Sequence, residues 1–398
     1  DQFGWSVAIS GNYAIVGAWQ EDDASPFAQN SGKAYIFDVT TGGLLYTLDN
    51  PNAYSVSSYD RFGISVAISG NYAIVGAYEE DDAGGTYSGK AYIFDVTTFP
   101  ASPATITSAT YVLDNPNAYN TSASDQFGYS VAISGNNIIV GAKQEDDAGG
   151  TSSGKAYIYD ITTFPTAPST ITSATHVLDN PNAYSTSASD QFGYSVAISG
   201  NYAIVGAYLE DSALGPDSGK AYVYDVTTGG LLVTLDNPNA YGTFTSLEYF
   251  GQSVAIDGNT IAVGAPGEDN TLGEDQGAMY IYELTKGIDL ISVETPALIA
   301  NPVIEEGSNL QLKHSVLSTY DSGETSYQDN FGYSVDVSNG KVIVGAYQED
   351  DAGGTSSGKA YIFDASGGNL VHTLDNPNAF GTSADDQFGW SVAISGNY

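Results

Sequence analysis

The chain of 398 residues contains no cysteine, so neither a disulfide framework nor a thiolate metal site can exist in it. Basic side chains are scarce. Ten Lys and Arg stand against 47 Asp and Glu, a formal charge of −37. Nucleic acid is therefore a poor partner, because phosphate binding needs a basic footprint. An anionic membrane surface is disfavoured on the same ground. No run of about 18 apolar residues occurs, so no membrane insertion is expected, and no signal peptide opens the sequence. Histidine is limited to His176, His314 and His372. No Gly-x-Ser-x-Gly elbow with a histidine partner, no phosphate loop and no metalloprotease helix motif appears.

What the chain does contain is repetition. Phe-Gly recurs at Phe3, Phe62, Phe127, Phe192, Phe250, Phe331 and Phe388. The units run 1–59, 60–124, 125–189, 190–247, 248–328 and 329–385, with a partial copy at 386–398. The fifth is lengthened by an insertion at 284–309 and lacks Asp-Asn-Pro-Asn. The insertion reads as a loop on one blade or as a docking element. The opening 13 residues, "DQFGWSVAISGNY", return identically at 386–398. A chain that starts and stops inside one motif is expected to be a piece of a longer repetitive protein.

Each unit reads as four short strands. In the second, "ISVAIS" (64–69) alternates, "YAIVGA" (72–77) is continuously apolar, "KAYIFDV" (90–96) is aromatic and β-branched, and "TYVLDN" (110–115) is polar enough for an outer edge. A Gly-Asn pair between the first two suits a tight hairpin. Sustained helical periodicity is missing. Four-stranded antiparallel units at this spacing predict an all-β chain forming a single β-propeller, six- or seven-bladed. A strand solenoid is the runner-up, although solenoid repeats are usually far shorter.

The string "FGYSVAISGN…IIVGA" (127–142) and the fuller "FGQSVAIDGNTIAVGAP" (250–266) resemble the FG-GAP repeat of integrin α-subunit propellers. The spelling "GAYxEDDAGG" and "LDNPNAY" is similar to FG-GAP arrays of aquatic bacteria and their phages. The resemblance implies a propeller used for extracellular binding.

Alternation of strand direction sends the loop after the second strand and the inter-blade crossover to one rim. That rim receives Glu21-Asp22-Asp23, Glu80-Asp81-Asp82, Glu145-Asp146-Asp147, Glu210-Asp211, Glu268-Asp269 and Glu349-Asp350-Asp351, joined by Asp49, Asp114, Asp179, Asp236 and Asp375. Three readings compete. Calcium wants six to eight hard oxygens, and Asp22, Asp23, Asp81, Asp82, Asp146, Asp147, Asp211, Asp269, Asp350 and Asp351 are the candidate ligands. The integrin signature Asp-x-Asp-x-Asp-Gly is absent, however, so the family's calcium residues do not carry over. In a structural reading, Asx-turns use the aspartates and the repeated Lys33, Lys90, Lys155, Lys220 and Lys359 offset charge. In the third, the acids are a solvated surface.

Because the acids recur almost identically, they argue against a catalytic centre, which on a repetitive fold is normally confined to one or two copies. His176 and His372 occupy the outer-strand position of Tyr46, Tyr111 and Val233 and read as surface variants. Tyr35, Tyr92, Tyr157, Tyr222 and Tyr361 read as packing between blades, and Tyr54, Tyr119, Tyr184 and Tyr241 as rim residues suited to packing or recognition. The expected function is a non-catalytic extracellular recognition or adhesion module, on a cell or virion surface, binding protein or glycan through the acidic face. The alternative is an architectural bead of a filament or phage fibre, with self-association in an array. A carbohydrate-active enzyme is the remote alternative.

Overall fold

In the second repeat, the continuously apolar string Tyr72–Ala77 is a strand paired antiparallel on both sides. Its neighbours are Val66–Ser69 and Lys90–Asp95, and Tyr111–Asp114 completes the sheet beyond the latter. In this computed structural model the arrangement recurs down the chain. It gives six blades of four antiparallel strands, the β-propeller fold class. Among the described residues the helical content is two three-residue 3-10 turns, Val96–Thr98 and Ile161–Thr163. Described are residues 1–22, 29–51, 59–81, 85–117, 123–146, 150–181, 188–211, 216–238, 247–269, 276–285, 309–317, 329–350, 354–377 and 384–396. The greater part of the insertion, the rim tyrosines Tyr54, Tyr119, Tyr184 and Tyr241, and the loop acids Asp23, Asp82, Asp147 and Asp351 lie outside them.

The chain divides into two compact units, 1–201 with 391–398, and 202–390. In the first, the core lies between successive blades. Ile15, Ala34, Ile36 and Leu48 pack against Phe62, Val66, Ile68, Val75, Tyr92 and Phe94 of the next repeat. The second repeats the pattern with Ala255, Ala262, Met279 and Ile281 against Phe331, Val335, Val344, Tyr361 and Phe363.

The Phe-Gly and Gly-Ala dipeptides are where adjacent blades touch. Gly63 has φ +93°, which side-chain-bearing residues rarely adopt. Its carbonyl oxygen lies where a Cβ on Gly17 of the preceding blade would be. Ser6 Oγ donates to that same oxygen at 3.0 Å, and Ser65 repeats the contact with Gly128 at 2.8 Å. Glycine at both positions lets two backbones meet with no side chain between them.

The long links of the first unit carry short strands of their own. Residues Ala104–Ile106 add in parallel to the fourth strand of the preceding blade, Leu44–Asp49. Ser169–Ile171 does the same to Tyr111–Asp114. The long links thus cover two outer edges. His176 and His372 sit on fourth strands, paired with Ile158 and Ile362.

Candidate functional site

The glutamate that opens each acidic loop is not part of a solvated face. Glu80, Glu145, Glu210, Glu268 and Glu349 are buried at 4% exposure or less, and Glu21 is half-buried. Each follows the end of a second strand by three residues. The third-strand tyrosine twelve or fourteen positions on donates its hydroxyl to it: Tyr35, Tyr92, Tyr157, Tyr222, Tyr280 and Tyr361, at 2.5–2.7 Å. The glutamate's own carbonyl accepts the N–H of the glycine before the third strand, as with Gly89 to Glu80 at 2.9 Å. The residue therefore pins its loop to its blade. These tyrosines pack, as expected, and they also carry a polar task that sequence spacing alone did not reveal.

The repeated lysine completes the cluster. Lys33 pairs with Asp49 at 2.6 Å and Lys90 with Asp114 at 2.9 Å. Lys155 and Lys220 bridge the loop glutamate and the fourth-strand aspartate, and Lys359 meets Glu349 at 2.8 Å. One ammonium does not offset the burial of a carboxylate crowded by other acids. Burial, then repulsion from Asp60, pushes Glu80 up to about 8 against the opposing Tyr92 and Lys90. Burial likewise pushes Glu145 up to about 8. Asp125 of the "DQFG" string is raised by burial to about 6, against hydrogen bonds from Asn117 and Asn115.

The second acid of each loop is an Asx-type brace. Asp22, Asp81, Asp146, Asp211 and Asp350 each accept, through Oδ1, a backbone N–H six or eight residues downstream at 2.8–3.0 Å. Asp269 holds the corresponding place in the fifth blade. These aspartates are brought into separate loops, each beside its own buried glutamate. Among the described residues no three carboxylates or histidines are grouped to hold a metal.

A second constellation, in the first unit, was missed by sequence reasoning. The residue after Phe-Gly and the residue after Gly-Ala, with Arg61 just before Phe62-Gly63, form a row of rings and cations. Trp5 and Trp19 meet edge to face at 5.4 Å. The Arg61 guanidinium lies over Trp19 at 4.5 Å and Tyr78 at 5.6 Å, and pairs with Glu79 at 2.6 Å. Tyr78 meets Tyr129 at 5.4 Å. The Lys143 ammonium then sits 3.4 Å from the Tyr129 ring centroid and 5.1 Å from that of Tyr194. Burial pulls Lys143 down to about 8, with Glu79 opposing. The signal was available. Arg61 stands where other repeats have Gln2, Gln126 and Gln191, and Lys143 where they have Trp19, Tyr78, Tyr208 and Tyr347.

The sequence profile of the FG-GAP repeat family matches residues 1–37, 53–94, 117–159, 183–224, 245–282 and 322–363, more than half of the chain. No curated protein matches it. Among solved structures, a chain in "Crystal Structure of Mitotic Checkpoint Complex" is similar at 12% identity and a TM-score of 0.51, over 98% of this chain and 81% of that one. At that identity the likeness concerns the fold alone.

Proposed function

Because the chain belongs to the FG-GAP repeat family, we propose that it is a non-catalytic extracellular recognition module that binds a protein or a glycan on a cell or virion surface. One observation carries the reading. The loop acids are committed in the same way in blade after blade, while the repeat is broken at Arg61, Glu79 and Lys143, set among aromatic rings within one unit. An enzyme needs its asymmetry among acids, bases or nucleophiles. Here the breaks set an Arg–Glu pair and a lysine among Trp and Tyr rings, and Trp, Tyr and Arg are the residue types that dominate recognition hot spots. Lys143 precedes Glu145 by two residues, so the row adjoins the acidic loops, whose braced aspartates supply a polar rim.

The test is retention of the purified chain on a panel of immobilised glycans, neutral and acidic, and of purified surface proteins, with chromatography of the soluble glycans afterwards. Retention on a subset of the panel with every glycan recovered intact is expected. Retention on none, or turnover of any glycan, overturns the reading.

A further inference from the structure

We propose that the outer edge of the third blade, His176–Asp179, docks an extended segment of a partner protein, of the form Phe-Pro-x-x-Pro-x-Thr-Ile, as an added parallel strand; this goes beyond the recognition reading above and gives it a protein ligand. The chain supplies the precedent twice. Residues Phe99–Ile106 and Phe164–Ile171 both spell that pattern. Their last three residues pair in parallel with Leu44–Asp49 and with Tyr111–Asp114, Ile106 opposite Leu48 and Ile171 opposite Leu113. Both isoleucines are buried. The opening rings cap the same strands edge to face, Phe99 on Tyr46 at 4.9 Å and Phe164 on Tyr111 at 5.2 Å. Each long link thus covers the fourth strand of the blade before it.

The series stops at the third blade. The link of the fourth repeat is cut to a tight turn, in which the Gly229 N–H donates to the Asp225 carbonyl at 2.8 Å, and it has no residues for an added strand. Among the described residues His176–Asp179 is accordingly the last strand of its sheet. Its sequence nevertheless keeps the receiving form, His-Val-Leu-Asp where the covered edge has Tyr-Val-Leu-Asp. The missing cover shows in exposure. Val177 is 51% exposed, whereas Val112 at the same place is half-buried and packs on the core. The Asp179 side chain is 65% exposed, against 28% for Asp114 and 26% for Asp49. An open edge offers backbone groups to an extended peptide, with main-chain bonds giving affinity and side-chain contacts giving specificity. In the register of the covered edge, Val177 and Leu178 stand opposite the Thr and Ile of the segment, as Val112 and Leu113 stand opposite Thr170 and Ile171. His176 puts a flat ring where Tyr111 receives Phe164.

The experiment is amide hydrogen exchange of the full chain, read by mass spectrometry, with the synthetic peptide FPTAPSTI added up to its solubility limit. Exchange along Val177–Asp179 is expected to slow by at least about tenfold. The same peptide N-methylated at its last Thr and Ile keeps every side chain and loses the ladder donors, and should slow exchange by less than about twofold. Val177→Lys charges the edge in the way natural edges are blunted, and should need roughly tenfold more peptide for the same protection. Val371→Lys, on the sixth blade's fourth strand, should leave protection at 177–179 unchanged. Melting curves matching the wild type show that the variants are folded. No slowing, or equal slowing by the N-methylated peptide, overturns the proposal. Slowing at Leu370–Asp375 in place of 177–179 overturns the assignment to the third blade. Slowing that grows with protein concentration in the absence of peptide overturns it in favour of a second copy of the chain. No protection by peptide, with the chain retained on members of the panel above, ends this inference and leaves the recognition reading standing. Neither protection nor retention ends both.

Discussion

Glu80 is a carboxylate held where a neutral group is preferred. Its pKa is about 8 in the folded chain against an ordinary 4.5, so the folded state holds the proton more tightly than the unfolded state. Its contribution to stability is full below about pH 4.5, falls as pH rises toward 8 and stays low above that. Glu80→Gln removes this dependence and keeps an acceptor for the Tyr92 hydroxyl. The variant should melt higher than wild type at pH 9, by an amount on the order of 1–3 kcal/mol, and show no advantage at pH 5. Melting curves at the two pH values check it, and equal melting temperatures at pH 9 would sink the idea. Residue-scale reading of the sequence found the acids and left three readings of them open, of which the solvated surface fails for the first acid in five of the six loops. Three adjacent carboxylates look like a solvated loop. That the first turns inward depends on Tyr92, twelve positions away on the third strand and not its neighbour in sequence. Lys143 was hidden differently: a search for what recurs passes over the positions where recurrence fails.

At the scale of the element, the strands were largely legible. "YAIVGA" was expected over 72–77 and forms there, because a strand buried on both faces needs an unbroken apolar string. The first strand was expected from residue 64 and begins at Val66. The edge strands Ala104–Ile106 and Ser169–Ile171 were not legible. Three residues inside a Ser-, Thr- and Pro-rich link give no periodicity, and their pairing is with another blade. Two predictions belong here. A Cβ on Gly76 would overlap the Gly128 carbonyl oxygen, which is backbone and cannot swing away. Gly76→Ala should therefore cost a few kcal/mol, in the manner of an overpacked core, read as a lower denaturation midpoint. A midpoint unchanged from wild type would mean that the blades separate easily. Shortening the 98–109 link to a Gly-Gly turn uncovers the Leu44–Asp49 edge, and amide exchange along Tyr46–Leu48 should accelerate by at least about tenfold. Exchange at the wild-type rate would show that the added strand contributes nothing.

At the scale of the whole molecule, the −37 charge acts on stability through self-repulsion, which salt screens. A specific calcium site would add a separate gain, since a ligand bound only by the native state stabilises it by mass action. The loops bear on which effect dominates. Their glutamates are occupied by tyrosine hydroxyls and, in several blades, by lysine, and five braced aspartates spend one oxygen on a backbone amide. A calcium ion needs six to eight oxygens at once, and magnesium is satisfied by fewer protein ligands and more water. The two cations should therefore raise the melting temperature equally at equal ionic strength, and sodium chloride should approach the same value once the charge is screened. Lowering the pH from 8 to 6 should raise it further without added salt, because protonating Glu80 and Glu145 relieves buried charge while the net charge falls. A calcium shift that exceeds the magnesium shift and saturates at micromolar concentration would contradict this. It would point to an ion at the third acids Asp23, Asp82, Asp147 and Asp351, and single Asp→Asn changes there would then remove the excess shift blade by blade.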